Sequence, residues 1–185
     1  MRIATIGRGN IGGGLAKLWG AAGHEVTEIG REGGDVSGAE AVLIAVPGGA
    51  IAEALAGIEG LAGKTVIDAT NVFGDTRPPQ GFDSNAEYVK SVTGGPTAKS
   101  FNLNFAALFD QLGSAGGRPG NFWCGDEEAR ETVETLCRDA GYEPIAAGPL
   151  ANAALQEAMI GFYFAVAKEG GMGQFFYRFA PPAEL

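Results

Sequence analysis

The chain begins with MRIATIGRGNIGGGLAKLWGAA (residues 1–22), in which the motif G-x-G-x-x-G stands between an apolar run and a helical pattern. Residues 2–6 are typical of a buried strand, and apolar residues recur at helical spacing from about residue 10 to residue 22. In such a motif the first glycine permits a tight turn, the second lets the backbone approach a pyrophosphate, and the third lets the helix pack on the strand. The helix N-terminus then offers free N–H groups to the anion. The sequence therefore predicts a dinucleotide-binding turn made by Gly7, Arg8, Gly9, Asn10, Ile11 and Gly12.

The end of the second predicted strand indicates which dinucleotide is bound. An NAD site commonly has an acidic residue about 20 residues beyond the glycines, where its carboxylate bonds the ribose 2′-OH. This chain has Gly30 and Arg31 there, and a guanidinium suits a 2′-phosphate, so the sequence favours NADP over NAD. The alternative is an arginine that only faces solvent. Arg8 is equally able to bind the pyrophosphate, bind the 2′-phosphate or face solvent, and Glu28 and Glu32 match the expected register less well.

Apolar runs alternate with helical patterns along the rest of the chain. This alternation is typical of an α/β protein whose mostly parallel sheet carries helices on both faces. We predict strands near residues 2–6, 25–30, 41–46, 64–69, 97–101, 120–124 and 142–146. We predict helices near residues 10–22, 48–57, 84–92, 104–112, 126–140 and 150–178, the last broken near Gly170 and Gly171.

The connection after the second strand is unusually short. Only residues 31–40 separate Gly30 from Ala41, whereas a crossover helix with a further strand needs a dozen residues or more. We therefore predict a Rossmann-like doubly wound sheet with a shortened edge after strand 2, in which strand 41–46 lies on the other side of strand 1. The adenine pocket is expected to be shallow. The NADP-binding Rossmann domain is predicted at residues 1–148, and a small C-terminal helical extension at 149–185 is a candidate for dimerisation or acceptor binding.

Further candidate residues follow the ends of the next two strands. In open α/β sheets, ligands bind beyond the carboxyl ends of the strands. Val46 and Pro47 are predicted to form an apolar floor beside the nicotinamide, with a plain strand-to-helix turn as the alternative. Thr70 and Asn71 carry groups that can bond a ribose or a carboxamide, although Asn71 is also suited to a local cap. Asp68 is expected to bond neighbouring backbone rather than act in acid–base catalysis.

The composition argues against several classes of protein. A formal net charge of −9 disfavours nucleic-acid binding, because phosphate backbones require clustered Lys and Arg. No apolar run approaches the roughly 18 residues of a membrane span. A single histidine, His24, and two separated cysteines, Cys124 and Cys137, provide neither a disulfide framework nor a metal-ligand spacing. We expect a cytoplasmic protein without a metal or a signal peptide, and we assign no catalytic residue.

Short motifs spread over almost the whole chain are shared with a known family. They are RIATIGRGNIG (2–12), GHEV (23–26), AVP (45–47), VIDATN (66–71), AKSFN (98–102), CGDEE (124–128), GYEP (141–144), AGPL (147–150) and GGMG (170–173). Together these motifs resemble the F-420-dependent NADP oxidoreductases (NADPH:F-420 reductases) and their bacterial dinucleotide-binding relatives. The first motif is generic to NADP-binding reductases, and the motifs from residue 124 onward are the specific part.

The resemblance implies a fold, a reaction and roles for residues. It implies a Rossmann domain with a C-terminal helical extension, active as a homodimer, which transfers a hydride between NADP(H) and the deazaflavin coenzyme F-420 or a flavin. By resemblance, residues 8–11 hold the pyrophosphate and residues 30–31 hold the 2′-phosphate. Val46, Ala50 and Val72 would then flank the nicotinamide half.

The length of the chain limits what the hydride acceptor can be. A sheet with its helices uses about 150 of the 185 residues, so a separate substrate domain does not fit. A flat ring stacked on the nicotinamide needs little more, because the cofactors carry the chemistry. Two alternatives stay open. One is a reductase of a small carbonyl or imine, related to pyrroline-5-carboxylate reductase, and the other is a non-catalytic NADP-binding sensor or redox partner.

Overall fold

A seven-stranded sheet forms the centre of the computed structural model, which describes residues 1–114, 116–179 and 181. The strands in chain order are β1 (Arg2–Ile6), β2 (Glu25–Ile29), β3 (Gly34–Asp35), β4 (Ala41–Ile44), β5 (Ile58–Glu59), β6 (Thr65–Asp68), β7 (Thr97–Ser100), β8 (Gly120–Gly125) and β9 (Glu143–Ala146). The order in the main sheet is β2-β1-β4-β6-β7-β8-β9, and β3 pairs with β5 in a separate small sheet. Neighbouring strands are parallel except β7 and β8. The predicted α/β class with a mostly parallel sheet is confirmed.

Helices cover the two faces of this sheet. They are α1 (Asn10–Ala21), α2 (Ile51–Ala56), α3 (Asn85–Thr93), α4 (Arg130–Asp139) and α5 (Ala153–Phe164). Because successive residues of a strand point to opposite faces, Ile3 and Leu43 pack with α1 and α4, whereas Ala4 and Val42 pack with α2 and α3. Because β2, β1, β4, β6 and β7 are parallel, their carboxyl ends all lie at the same end of the sheet, which we call the open edge.

The shortened connection after β2 leads directly to the other side of β1. Ile3 pairs with Val26 of β2 on one side and with Ala41 of β4 on the other, as predicted. In place of a crossover helix, the chain between β2 and β4 contains only turns and the two-residue strand β3. Since the strand order reverses beside β1, the crevice between β1 and β4 is the expected ligand site of an open α/β sheet.

Two predicted helices differ from the observed elements. The segment predicted as a helix at 104–112 is a 3-10 helix at Ala106–Ser114. The last predicted helix does not reach residue 178: α5 continues as a π-helical turn over Ala165–Glu169, and residues 170–179 are not helical. Gly171 and Gly173 have positive φ angles of 71° and 74°, a left-handed conformation that ends a right-handed helix. The end of the predicted extension, residues 180 and 182–185, lies outside the described residues.

One helical segment is long and apolar enough to cross a membrane when judged by length and composition. It is Leu150–Glu169, with a mean hydropathy of 1.2 and only 22% of its window buried. An apolar helix that packs in a protein core or against another subunit passes the same test. The predicted absence of a membrane partner and the predicted cytoplasmic location therefore stay predictions.

Candidate nucleotide site

The glycine turn joins β1 to α1 at the open edge of the sheet. Gly7 has a φ of +107°, a conformation that favours glycine, and its N–H donates to the carbonyl of Ile29 at 2.8 Å. A Cβ atom at Gly7 would overlap with the carbonyl oxygen of Ala45, and one at Gly12 would overlap with the carbonyl oxygen of Gly7. Both positions therefore require glycine, because β1, α1 and β4 approach each other through their backbones.

The start of α1 fits a pyrophosphate. Gly9 precedes the first helical residue, Asn10, and has no side chain with which to cap the free N–H groups. The first turn contains no acidic residue, and a Cβ atom at Gly9 would meet no described atom within 4 Å. Unpaired N–H groups, the positive end of the helix dipole and unfilled space are what an anion requires at a helix N-terminus.

Arg8 lies over the end of β2 and pairs with a carboxylate. Its Nη2 atom is 3.0 Å from Oε2 of Glu32, and both side chains are more than half exposed. The backbone N–H of Gly30 donates to Oε1 of Glu32 at 3.3 Å. A hydrogen bond from its own backbone N–H, together with the charge of Arg8, lowers the pKa of Glu32 below its usual value. Arg31, the residue predicted to bind the 2′-phosphate, is exposed next to this pair.

The predicted nicotinamide-side residues come together beyond β4 and β6. Ile44 and Asp68 are paired neighbours at the ends of these strands, so the segments 45–50 and 69–72 leave the sheet side by side. A Cβ atom at Gly48 would overlap with the carbonyl oxygen of Asn71, which shows how closely the two segments approach. The structure brings together at this edge the predicted residues Val46, Pro47, Ala50, Thr70, Asn71 and Val72, of which Val46, Ala50 and Val72 are half-buried and Pro47 is exposed.

The side chains of Thr70 and Asn71 are engaged with the protein itself. Thr70 is buried, and its hydroxyl accepts from Nδ2 of Asn85 at 2.8 Å. Asn71 donates to the carbonyl of Asn102 at 2.8 Å and accepts from the side chain of Asn102 at 2.9 Å. These hydrogen bonds fix the conformation of the segment 69–72. Hydrogen bonds from Thr70 or Asn71 to a ribose or a carboxamide therefore stay a prediction.

A fully buried ion cluster lies directly beneath this edge. Nζ of Lys99 is 2.8 Å from Oδ2 of Asp68 and 2.7 Å from Oε1 of Glu157, and all three side chains are buried. Lys99 also donates to the carbonyl oxygen of Thr70. As expected from the sequence, Asp68 accepts from neighbouring backbone, here the N–H of Thr70 at 2.9 Å. The cluster thus connects β6, β7 and α5.

The second carboxylate of this cluster, that of Glu157, uses only one of its two oxygens in hydrogen bonds to the described residues. Oε1 of Glu157 accepts from Lys99 and from the backbone N–H of Asn85, whereas Oε2 is buried with no hydrogen-bond partner among the described residues. Burial raises the pKa of Glu157, and the nearby Lys99 opposes that shift. Neither Lys99 nor Glu157 was singled out by sequence reasoning. The signal was present, since one is a lysine within a buried strand and the other a glutamate within the apolar helix α5.

Four phenylalanines, which we call the aromatic platform, lie next to the nicotinamide edge. Phe73 follows Asn71 by two residues and is 54% exposed, and its ring centroid is 5.0 Å from that of Phe164. Phe105 lies 6.3 Å from Phe164 and 5.4 Å from Phe175. Phe105 itself is half-buried. Aromatic faces of this kind accept a further flat ring by stacking or edge-to-face contact.

The two cysteines are not part of this site. Both Cys124 and Cys137 are buried, and burial raises the pKa of each thiol to about 12. They are therefore neutral thiols near pH 7 and pack as small apolar residues. Within residues 1–114, 116–179 and 181, no group of three or more His, Cys, Asp or Glu side chains is placed to hold a metal ion.

Comparison with solved structures extends over nearly the whole chain. A candidate F-420-dependent NADP reductase from Arthrobacter sp. FB24 superposes with a TM-score of 0.81 and 26% sequence identity, covering 98% of this chain and 100% of that protein. The predicted resemblance to the F-420-dependent NADP reductases is confirmed. No protein-family model matches the chain.

Two further relatives are similar over part of their length. The metalloreductase STEAP3 of Rattus norvegicus is 38% identical over 101 residues, which is 54% of this chain. The chain spans only about a fifth of that protein, 20% of its length. An imine reductase of Streptomyces aurantiacus has a TM-score of 0.67 and 17% identity over 90% of this chain and 61% of its own, which shows a shared fold alone. The Rossmann-like fold and the oxidoreductase class, with the acceptor unspecified, are thus confirmed predictions.

Proposed function

We propose that the protein transfers a hydride between NADP(H) and a flat multi-ring acceptor, either a deazaflavin such as coenzyme F-420 or a flavin. The observation that carries this proposal is the position of the aromatic platform, whose exposed member Phe73 directly follows Val72 of the nicotinamide edge. A flat acceptor seated there would have its ring beside the nicotinamide. The name of the Arthrobacter structure supports the same acceptor class.

The residues of the chain bind and orient in this proposal, and NADP(H) supplies the hydride. The uncapped start of α1 holds the pyrophosphate, and the pocket at the end of β2 holds the 2′-phosphate. The half-buried segments beyond β4 and β6 exclude water from one side of the nicotinamide ring. Holding two rings in contact replaces a bimolecular encounter with an oriented one, which is the main contribution a protein makes to such a transfer. The proposed contacts are Gly7 to Gly12 for the pyrophosphate, Arg8, Gly30 and Arg31 for the 2′-phosphate, and Val46, Pro47, Ala50, Thr70, Asn71 and Val72 for the nicotinamide half.

A positive charge beside the platform suits an acceptor with an anionic tail. Nζ of Lys168 lies 5.1 Å from the ring centroid of Phe164. In a chain of net charge −9, a single cation at this place attracts a phosphate or carboxylate locally rather than through the overall field. Both deazaflavin and flavin nucleotides carry such tails, so Lys168 favours them over a small neutral ketone.

The direct test is hydride transfer with purified protein. NADPH is mixed with F-420, FMN or FAD, and the loss of NADPH absorbance is followed. We expect turnover with at least one of these acceptors. Phe73→Ala should raise the acceptor KM about threefold to tenfold because a ring contact is lost, while the Kd for NADPH stays unchanged. Phe179→Ala is the matched control, because Phe179 is 60% exposed and contacts Phe122 outside the platform.

Other outcomes would point to the alternatives. Binding of NADPH without oxidation by any flat acceptor would contradict the proposal and favour a sensor or redox partner. Reduction of an imine or a small ketone, with no effect of Phe73→Ala, would favour the reductase related to pyrroline-5-carboxylate reductase.

We further propose that the protein works as a homodimer through α5. One face of this helix packs on the sheet through Gln156, Glu157 and Ile160, whereas Leu155 and Phe162, seven residues apart, are each 69% exposed. Apolar side chains in line on an otherwise packed helix form a surface that a second copy of the same helix can cover. A self-complementary contact of this kind is the commonest way in which two identical chains associate.

The homodimer is tested by substitution at this face. Phe162→Glu should convert a dimer into a monomer in sedimentation-velocity experiments, because a charge would be buried at the contact. Val92→Glu is the control, since Val92 is an apolar residue that is 45% exposed on a different helix, α3. A wild-type protein that sediments as a monomer at high concentration would refute the proposal, and so would a dimer unaffected by Phe162→Glu.

A further inference from the structure

A carboxylate of the protein lies where the 2′-phosphate of NADP is proposed to bind. Oε2 of Glu32 is 3.0 Å from the guanidinium of Arg8, and Oε1 is 3.3 Å from the backbone nitrogen of Gly30. A Cβ atom at Gly30 would overlap with the Arg8 guanidinium, so the absence of a side chain there is what allows Arg8 to lie across the end of β2. Arg8 and Gly30 thus form a small anion site, and Glu32 is its occupant.

Two of the donors that Glu32 uses, the guanidinium of Arg8 and the backbone N–H of Gly30, are ones that a phosphate monoester can also use. A guanidinium together with a backbone N–H is a common combination for phosphate, and a carboxylate offers two oxygens of similar spacing and the same sign of charge. A second anion binds more weakly to a guanidinium that already pairs with a carboxylate, because the two negative charges repel each other. The carboxylate of Glu32 on Arg8 therefore opposes binding of the 2′-phosphate.

We propose that Glu32 is a specificity-determining residue whose carboxylate competes with the 2′-phosphate for Arg8 and so narrows the preference for NADP(H) over NAD(H). This inference rests on the proposed function only in requiring that a dinucleotide binds at the glycine turn, and it is independent of the hydride acceptor. NAD(H) carries a 2′-hydroxyl where NADP(H) carries the phosphate. This hydroxyl can donate a hydrogen bond to the carboxylate of Glu32 without displacing it from Arg8. Glu32 thus disfavours one cofactor and accommodates the other.

The expected size of this effect follows from exposure. The side chains of Arg8 and Glu32 are 53% and 59% exposed, so their pair is screened by solvent and is easily broken. Loss of an exposed ion pair of this kind typically changes an equilibrium constant, here the dissociation constant of the nucleotide, about twofold to fivefold. Glu32 is a moderate competitor and not a block.

The test measures nucleotide binding directly. NADPH, NADH, adenosine 2′,5′-bisphosphate and AMP are titrated by calorimetry into the wild type, Glu32→Gln and Glu25→Gln. Glu25 is exposed at the start of β2, the end of that strand far from Gly30, so Glu25→Gln reproduces the change in net charge without touching Arg8. We expect Glu32→Gln to tighten NADPH and the bisphosphate about twofold to fivefold, leave NADH and AMP unchanged or weaker, and lose this gain when combined with Arg8→Ala. Glu25→Gln should not alter the ratio of the NADPH and NADH affinities.

Three results would overturn the inference. Equal tightening of NADPH and NADH by Glu32→Gln would assign the effect to net charge. Weaker NADPH binding would mean that Glu32 orients Arg8 for the phosphate and does not compete with it. Failure of all four nucleotides to bind the wild type would refute the nucleotide site itself, whereas an inactive protein that still binds NADPH would refute only the proposed acceptor.

Discussion

Lys99→Met is expected to lower the free energy of unfolding by about 3–5 kcal/mol, the cost typical of breaking a buried ion pair by removing one partner. The substitution leaves the carboxylates of Asp68 and Glu157 fully buried with no cation between them. Urea unfolding at pH 7 measures the loss. Lys90→Met is the matched control: Lys90 also pairs with a carboxylate, Asp126 at 2.7 Å, but it is 39% exposed, and we expect a loss of up to about 1 kcal/mol.

The dependence of this deficit on pH provides an independent check. Burial raises the pKa of Glu157, and removal of Lys99 takes away the nearby charge that opposes this shift, so the folded-state pKa of Glu157 rises further above its unfolded value. The folded variant then binds protons that the unfolded chain releases, so its stability falls as the pH rises through that interval. The deficit relative to wild type should therefore be smaller at pH 5 than at pH 7. Equal losses for Lys99→Met and Lys90→Met at both pH values would contradict a buried cluster.

This cluster also bears on the proposed site. Glu157 lies on α5, seven residues before Phe164 of the aromatic platform, and Lys99 binds the carbonyl of Thr70 at the nicotinamide edge. The cluster therefore sets the position of the platform relative to the edge. In the proposed hydride transfer the cluster would act only by positioning, because Lys99 and Glu157 are both buried away from any ligand.

The second large effect is expected from the glycine turn. Gly12→Ala should cost about 1–3 kcal/mol or more in unfolding free energy and abolish NADPH binding, because its Cβ atom would overlap with the backbone carbonyl of Gly7, which cannot rotate away. Gly9→Ala should leave stability within about 0.5 kcal/mol, since Gly9 has an ordinary φ of −79° and open space around it. It should still weaken NADPH binding, because the new methyl group stands where the pyrophosphate approaches the backbone.

A third glycine in the same helix serves as the control. A Cβ atom at Gly20 would also meet no described atom within 4 Å, but Gly20 lies at the far end of α1 from the turn. Gly20→Ala should therefore keep NADPH binding and raise helix stability by about 0.5–1 kcal/mol. Thermal unfolding and fluorescence titration of NADPH separate the three variants. If Gly9→Ala bound NADPH as the wild type does, the pyrophosphate would not lie over this turn.

Local patterns were sufficient to predict most of the fold. The central strands β1, β4 and β6 are short segments rich in buried apolar residues, and the ten-residue link from Arg31 to Glu40 is too short for a crossover helix whatever surrounds it. The last helix ends at the break predicted near Gly170 and Gly171, and only its predicted continuation to residue 178 was wrong, because apolar residues recur there without forming a helix. Composition does not record which glycines adopt a positive φ.

The site was predicted only in part, and the reason is physical. Gly7, Gly9 and Gly12 are close in sequence, so their roles follow from the motif and its flanking elements. Asp68, Lys99 and Glu157 lie on three separate elements, and their contact depends on how β6, β7 and α5 pack. The position of each charge within a strand or an apolar helix is visible in the sequence, but the sequence does not show which partner that charge meets.

The sequence by itself determined that a dinucleotide-binding turn opens a parallel sheet, because that information lies in the order and spacing of neighbouring residues. Only the tertiary structure decided which distant residues contact each other. Glu32 pairs with the guanidinium of Arg8, Lys99 lies between two buried carboxylates, and the ring of Phe73 contacts that of Phe164. Pairings between distant residues arise when elements pack, and packing depends on shape and burial across the whole sheet rather than on any local pattern.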